Sequence, residues 1–337
     1  MIASGDTGRE LQESPARRTL HLRSLASGKE SLLALLVLIA FNAAFTPNFL
    51  TLQTLNVNLT QVCAIVIVAV GMTFVIATGG IDLSVGSLMA IAGTLAPLVF
   101  MGKLRPIGNA YVAVTVAMLL AVCCAGLLGT FNGWLVASLK IQPIVATLVL
   151  FISGRGIAQV LTDGHLQSFR MAEFQWIGLG KIAGVPVQVL LMALIVGAAA
   201  WAMRCTVFGA HLLAVGANER ASELAGLPVR RIKLAVYAIS GACAGLAGLV
   251  VIAINSASDP NLVGQGMELD AIAAAAVGGT SLRGGKARIL GTLMGALIIQ
   301  LVRYTLLANG VPDAAALIVK AAMIATAVWL QQTREVS

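Results

Sequence analysis

The sequence predicts an all-α polytopic membrane protein with about ten membrane segments, some broken or re-entrant, and with both termini inside. Three observations predict it. Apolar residues make up 58% of the chain before its 35 glycines are counted, and charged residues only 11%, against about 25% in an average soluble domain. Several windows run past about 18 apolar residues, enough to span a bilayer. The basic residues gather in alternate loops, as the positive-inside rule requires.

The elements follow in order. Residues 1–30 are polar and carry Arg9, Arg17, Arg18, Arg23 and Lys29, which reads as a cytoplasmic tail. No small-residue cleavage site follows, so the first apolar run is an uncleaved helix. A transmembrane domain then fills 31–330, and 331–337 is a second cytoplasmic tail. The segments fall at about 31–46, 54–77, 84–101, 111–137, 144–161, 186–203, 232–254, 268–280, 287–307 and 314–330. The eighth is too short to span and reads as a half-helix or a re-entrant piece. With the N-terminus inside, fifteen basic residues lie inside and four outside (Lys103, Arg105, Arg170 and Lys181), which sets N-in and C-in. Two connections are long. Residues 204–231, inside, hold a short helix around Ala221–Leu224 that ends at Gly226 and Pro228. Residues 162–185, outside, suit a short helix at the membrane surface.

The most informative motif is Gly79-Gly80-Ile81-Asp82-Leu83-Ser84. A carboxylate this deep is costly to keep. Gly79 and Gly80 let the backbone leave the helix, and Ser84 with nearby N–H groups would satisfy Asp82 where the chain is shielded from lipid. Asp82 then serves either as a structural anchor or in gating. Gly278-Gly279-Thr280-Ser281-Leu282 is a weak echo of this motif, the kind of internal repeat that transporters carry. Other charges at depth are Arg155, Glu268, Asp270, Arg303 and Lys320. Lys320 either snorkels or pairs with Asp270 or Glu268. Asn132 either faces a pathway or bonds between helices. The four-residue spacings Gly129/Gly133, Gly241/Gly245 and Gly291/Gly295 predict close helix packing.

Several function classes are excluded. Gly284-Gly285-Lys286 is not a phosphate loop, because Thr280 stands where the first glycine belongs and Ala287 where Ser or Thr must hold magnesium. No catalytic constellation, metal-ligand spacing or cofactor motif is present. His21, His165 and His211 lie far apart, and the five cysteines sit in or beside apolar runs as packing residues. The net charge of +8 sets topology and offers lipid headgroups a surface. It carries no aromatic interleaving, so nucleic acid is not a partner.

Taken in order, Gly71-Met72-Thr73, Gly79–Ser87, Asn132-Gly133, Ala146-Thr147-Leu148, Gly154-Arg155-Gly156, Gly216-Ala217-Asn218, Glu268–Ala273, Gly278–Leu282 and Val319-Lys320-Ala321 resemble the permease subunits of bacterial ABC importers for monosaccharides. This is the ribose/xylose/arabinose/galactofuranose class, and the likeness runs from about residue 30 onward. The resemblance implies a division of labour. A periplasmic sugar-binding protein delivers the solute, two permease subunits form the pathway, and cytoplasmic ATPase subunits drive it. It also implies that a short cytoplasmic helix docks on the ATPase. Gly216, Ala217, Asn218, Glu219, Ala221 and Gly226 match that loop. The pathway and helix-break candidates are Gly79, Gly80, Asp82, Ser84, Asn132 and Asp270. An ABC permease for another small polar solute, or an ion-coupled secondary carrier working without an ATPase, are the competing readings.

Overall fold

The structure, a computed structural model, describes residues 31–104 and 106–336. The expected tail over 1–30, Arg105 and Ser337 lie outside the described residues. Among those described are thirteen helices: α1 (Ser31–Phe45), α2 (Leu52–Ala77), α3 (Val85–Phe100), α4 (Ala110–Ala137), α5 (Pro143–Val160), α6 (Ala172–Leu179), α7 (Val187–Cys205), α8 (Val207–Ala217), α9 (Glu219–Leu224), α10 (Val229–Asn255), α11 (Met267–Val277), α12 (Ile289–Ala308) and α13 (Asp313–Val336). Six of them, α2, α4, α5, α7, α10 and α12, are long and apolar enough to cross a membrane. The chain is a multi-pass, predominantly helical membrane protein.

Start signals sit where helix physics puts them. The Thr51 side chain accepts from Thr54 N–H, Asn109 from Tyr111 and Val112 N–H, and Asn218 from Ala221 N–H. Pro143 opens α5, where its missing N–H costs nothing. At 1.5 Å per residue, the 11 residues of α11 cover about 16 Å, roughly half of a hydrocarbon core.

Two helices form the centre. Every residue of α2 from Val62 to Ala77 is buried, which requires neighbours on all sides. α10 packs on α2, α3, α4 and α6. Small residues set how close it comes. A Cβ on Gly129 would lie 3.1 Å from Gly241 Cα, and one on Gly245 would lie 2.8 Å from Ala125 Cβ. Two of the glycine pairs seen in the sequence therefore face each other across α4 and α10. Gly291 and Gly295 meet Gly278 and Ala274 of α11 in the same way.

The two long connections hold more structure than expected. In 204–231, α9 and Gly226 (φ +80°) follow the expected plan, but α8 precedes them as an apolar helix. Leu212 and Val215 of α8 are buried, and Phe208 packs on Phe74 of α2. In 162–185, α6 sinks one ring into the bundle. Phe174 is fully buried against Phe100 and Phe169. β1 (Gln167–Ser168) pairs antiparallel with β4 (Ala257–Ser258), and β2 (Lys181–Ile182) with β3 (Val185–Pro186).

Candidate functional site

At one end of the bundle, two helices break in the same way. After α2, Gly79 takes a left-handed conformation (φ +77°), its N–H donates to Ile76 O, and Gly80 N–H reaches back to Val75 O. After α11, Gly279 does the same (φ +83°), donating to Ala276 O, and Thr280 N–H reaches Ala275 O. Both are Schellman ends, with glycine where a Cβ would be strained. The repeated backbone aligns Gly79 with Gly279. The letter echo in the sequence aligns it with Gly278, one residue off, because the left-handed position repeats rather than the residue pattern.

The two breaks touch. Gly285 N–H donates to Ala77 O at 3.0 Å. A Cβ on Gly284 would lie 2.8 Å from Gly79 N. The C-terminus of α8 completes the junction. A methyl group on Gly216 would overlap the Ala77 carbonyl and the Gly285 N–H, and Ala217 lies against Gly285. The contact is almost wholly main chain to main chain.

Asp82 sits at the first break. It is fully buried. One carboxylate oxygen accepts from Ser84 N–H (3.1 Å) and Ser84 Oγ (2.6 Å), and the other from Ser240 Oγ of α10 (2.8 Å). Asn132 of α4 donates to Ser84 Oγ at 2.8 Å. Ser87 Oγ donates to Leu150 O of α5, and Leu83 N–H to Thr147 Oγ1. The start of α3 is thereby tied to α4, α5 and α10. Tyr237 is fully buried beside it, and a Cβ on Gly80 would lie 2.7 Å from its Oη.

Next to the break, a cleft of about 230 Å³ is bounded by Gly79, Gly80, Tyr237, Lys140, Glu219 and Lys233. Glu219, the first residue of α9, accepts from Lys233 Nζ at 2.6 Å and Lys140 Nζ at 3.4 Å. Lys140 also reaches Glu223 at 3.2 Å. Burial works against the Glu219 charge, but Lys233 and then Lys140 outweigh it and hold the carboxyl below its usual value. The Glu223 carboxylate heads the contacts that push the Lys140 ammonium above its ordinary value, against a smaller desolvation effect. On the outer face of α9, Arg220, Ala221 and Leu224 are exposed.

The structure thus brings Gly79, Gly80, Asp82, Ser84 and Asn132 into one neighbourhood with Gly216, Ala217 and Glu219, and puts Ala221 and Gly226 on the adjacent surface. Asp270 lies elsewhere, seven residues or about 10 Å along α11 from its broken end. It pairs with Lys320. Sequence reasoning missed Ser240, Gly285 and Lys233. Ser240 is 158 residues from its partner and has no local signal.

The sequence is similar to those of known transport permeases. Residues 55–328 match the family described as branched-chain amino acid transport system / permease component. The chain is 41% identical to the ribose import permease protein RbsC of Escherichia coli K12, over 91% of this chain and 94% of that protein. It is 38% identical to the galactofuranose transporter permease protein YtfT of the same organism, over 92% and 91%. It is 32% identical to the L-arabinose ABC transporter permease protein AraH of Azospirillum brasilense, over 95% and 92%. No solved structure matches. With most of its length matched and its transmembrane helices in place, the chain belongs to the branched-chain amino acid transport system / permease component family.

Proposed function

We propose that this chain is the transmembrane permease subunit of an ABC importer that carries a monosaccharide across a bacterial inner membrane. It spans the membrane ten times, N-in and C-in, with α8 and α9 on the cytoplasmic side. It pairs with a second permease subunit, either another copy or a paralogue. Separate ATPase subunits drive it, since its sequence offers no nucleotide-binding loop, and a periplasmic sugar-binding protein feeds it. The sugar relatives, matched over more than nine tenths of this chain, support this reading.

The observation that carries the mechanism is the contact of Gly216 with Ala77 and Gly285. α9, from Asn218 to Gly226, presents an exposed face to the ATPase. Through Glu219–Lys233 and through Gly216, displacement of α8–α9 reaches the breaks after α2 and α11 together. Asp82, Ser84 and Asn132 hold the far side of the first break, so the movement turns helices instead of unravelling them. Carboxylates that could carry a coupling proton or sodium ion are few, which favours ATP over an ion gradient.

Reconstitution with candidate ATPase and sugar-binding subunits from the same organism tests the proposal. Labelled D-ribose, L-arabinose, D-fructose and L-leucine would be offered to proteoliposomes. Sugar uptake that requires ATP and the binding protein is the expected result. Uptake by the chain alone would establish the secondary carrier, and uptake of leucine without any sugar would establish an amino-acid permease.

A further inference from the structure

A second polar region lies away from the glycine junction. A cavity of about 710 Å³ opens between α2, α10, α11, α12 and α13. That volume falls within the ~300–1,000 Å³ typical of small-molecule sites. Gln61, nine residues into α2, and Gln300, eight residues before the end of α12, both line it, and Gln300 Nε2 donates to Gln61 Oε1 at 2.7 Å. At 1.5 Å per residue, this amide pair sits about 12–14 Å from the helix ends, close to the middle of a hydrocarbon core. Asp270, Lys320 and Arg303 also line the cavity, with Asp270 and Lys320 paired.

Gln300 is buried and Gln61 is exposed into this space. Two amides, one carboxylate, one ammonium and one guanidinium around a cavity are expensive at this depth. Packing alone does not require them, since apolar residues fill helix contacts elsewhere in the bundle. A solute carrying several hydroxyl groups would use them all. Hydroxyls donate to the carboxylate and to amide oxygens, and accept from amide, ammonium and guanidinium N–H groups. The Asp270–Lys320 pair compensates those two charges within the protein, so the solute need supply no counter-charge for either.

We infer that this cavity is a binding site for a neutral polyhydroxylated solute, with the Gln61–Gln300 pair as its floor and Asp270, Lys320 and Arg303 as its polar wall. The inference rests on the proposed sugar-importer function and assigns the solute a stopping place in the permease itself. The floor pair must separate for the solute to proceed, and the solute's own hydroxyls replace that hydrogen bond.

Saturation-transfer NMR on the solubilised permease–ATPase complex, without binding protein, tests it with D-ribose, L-arabinose and D-fructose as probes. It detects weak binding directly and needs no turnover. At least one sugar should receive saturation from the wild-type complex. The signal should fall at least fivefold in both Gln300→Leu and Gln61→Leu. Gln61 is exposed, so its replacement disturbs packing less than loss of the buried Gln300. Undiminished transfer in folded Gln61→Leu overturns the site. Uptake of a sugar by the reconstituted importer, with no saturation of that sugar by the wild-type complex, overturns the site alone. Absence of both uptake and transfer overturns the sugar reading as well.

Discussion

Replacing Asp82 discriminates between an anchor and a moving part. Three donors converge on its carboxylate: Ser84 N–H, Ser84 Oγ and Ser240 Oγ. In Asp82→Ala the two hydroxyls can rotate, Ser240 toward the carbonyl one turn back in α10. Ser84 N–H is fixed at the start of α3 and cannot. One buried donor left unsatisfied costs about 1–3 kcal/mol, and 1.4 kcal/mol is about tenfold in the folded-to-unfolded ratio. Asp82→Asn keeps an oxygen for both Ser84 donors but turns an N–H₂ toward Ser240 Oγ, whose hydroxyl must then rotate. The expected loss is about 1 kcal/mol. Thermal unfolding in detergent, followed by size-exclusion fluorescence, would read both losses. Uptake per assembled complex, measured on the same preparations, separates stability from transport. The anchor predicts a graded fall in thermal midpoint, Ala below Asn below wild type, with uptake per complex preserved in Asn. Normal midpoints with abolished uptake would refute the anchoring argument and make the carboxylate a gating group.

Three further outcomes follow from the geometry. Gly216→Ala should insert normally yet lose most sugar-stimulated ATP hydrolysis, because its methyl group overlaps the Ala77 carbonyl. Gly197→Ala, with open space around it, is the control, and equal stimulated hydrolysis in the two would remove Gly216 from the coupling path. The Glu219–Lys233 contact should hold at neutral pH. Because the Glu219 pKa is depressed, the stabilisation is present above the ordinary value of 4.5 and is lost as pH falls through the lower folded-state value. Amide exchange in α9 should therefore rise in acid in the wild type but be high and pH-independent, after correction for intrinsic exchange, in Glu219→Gln. Single cysteines in place of Leu224 and Leu262, both well exposed, in a chain lacking its five native cysteines should label from opposite faces. An impermeant thiol reagent should reach Leu262→Cys in spheroplasts and not Leu224→Cys, and the reverse pattern would invert the topology.

Much of this was legible in the sequence because membrane physics is strict. An apolar run must be a helix, so the ten expected segments correspond to α1–α5, α7 and α10–α13, the first nine within three residues, while α13 runs on to Val336 through most of the expected tail over 331–337. That correspondence concerns helices and does not count crossings. The break at Gly79 and Gly80 was visible because it pairs glycine with a charge. Its twin at Gly279 was visible only as a blurred echo, since Leu282 stands where Asp82 stands in the first. α8 escaped notice because a helix of 11 residues beside charged neighbours resembles a loop. The meeting of Gly216 with Gly285 was illegible because a contact made by absent side chains leaves no residue pattern. Lys320 was readable as snorkelling or paired. Its partner Asp270 was decided by how α11 packs on α13.

In the proposed coupling, the main-chain junction at Ala77, Gly216 and Gly285 would work as a bearing. Only one described hydrogen bond crosses from Gly285 to Ala77, and glycine offers no rotamers to lock or reset. Sliding there would meet little friction, while the Asp82 hydrogen bonds a few residues away would resist it. Wear in such a device is genetic. The smallest added carbon at Gly216 would overlap the Ala77 carbonyl, so if the joint moves as proposed, drift in sequence should be tolerated on the rigid side long before it is tolerated there.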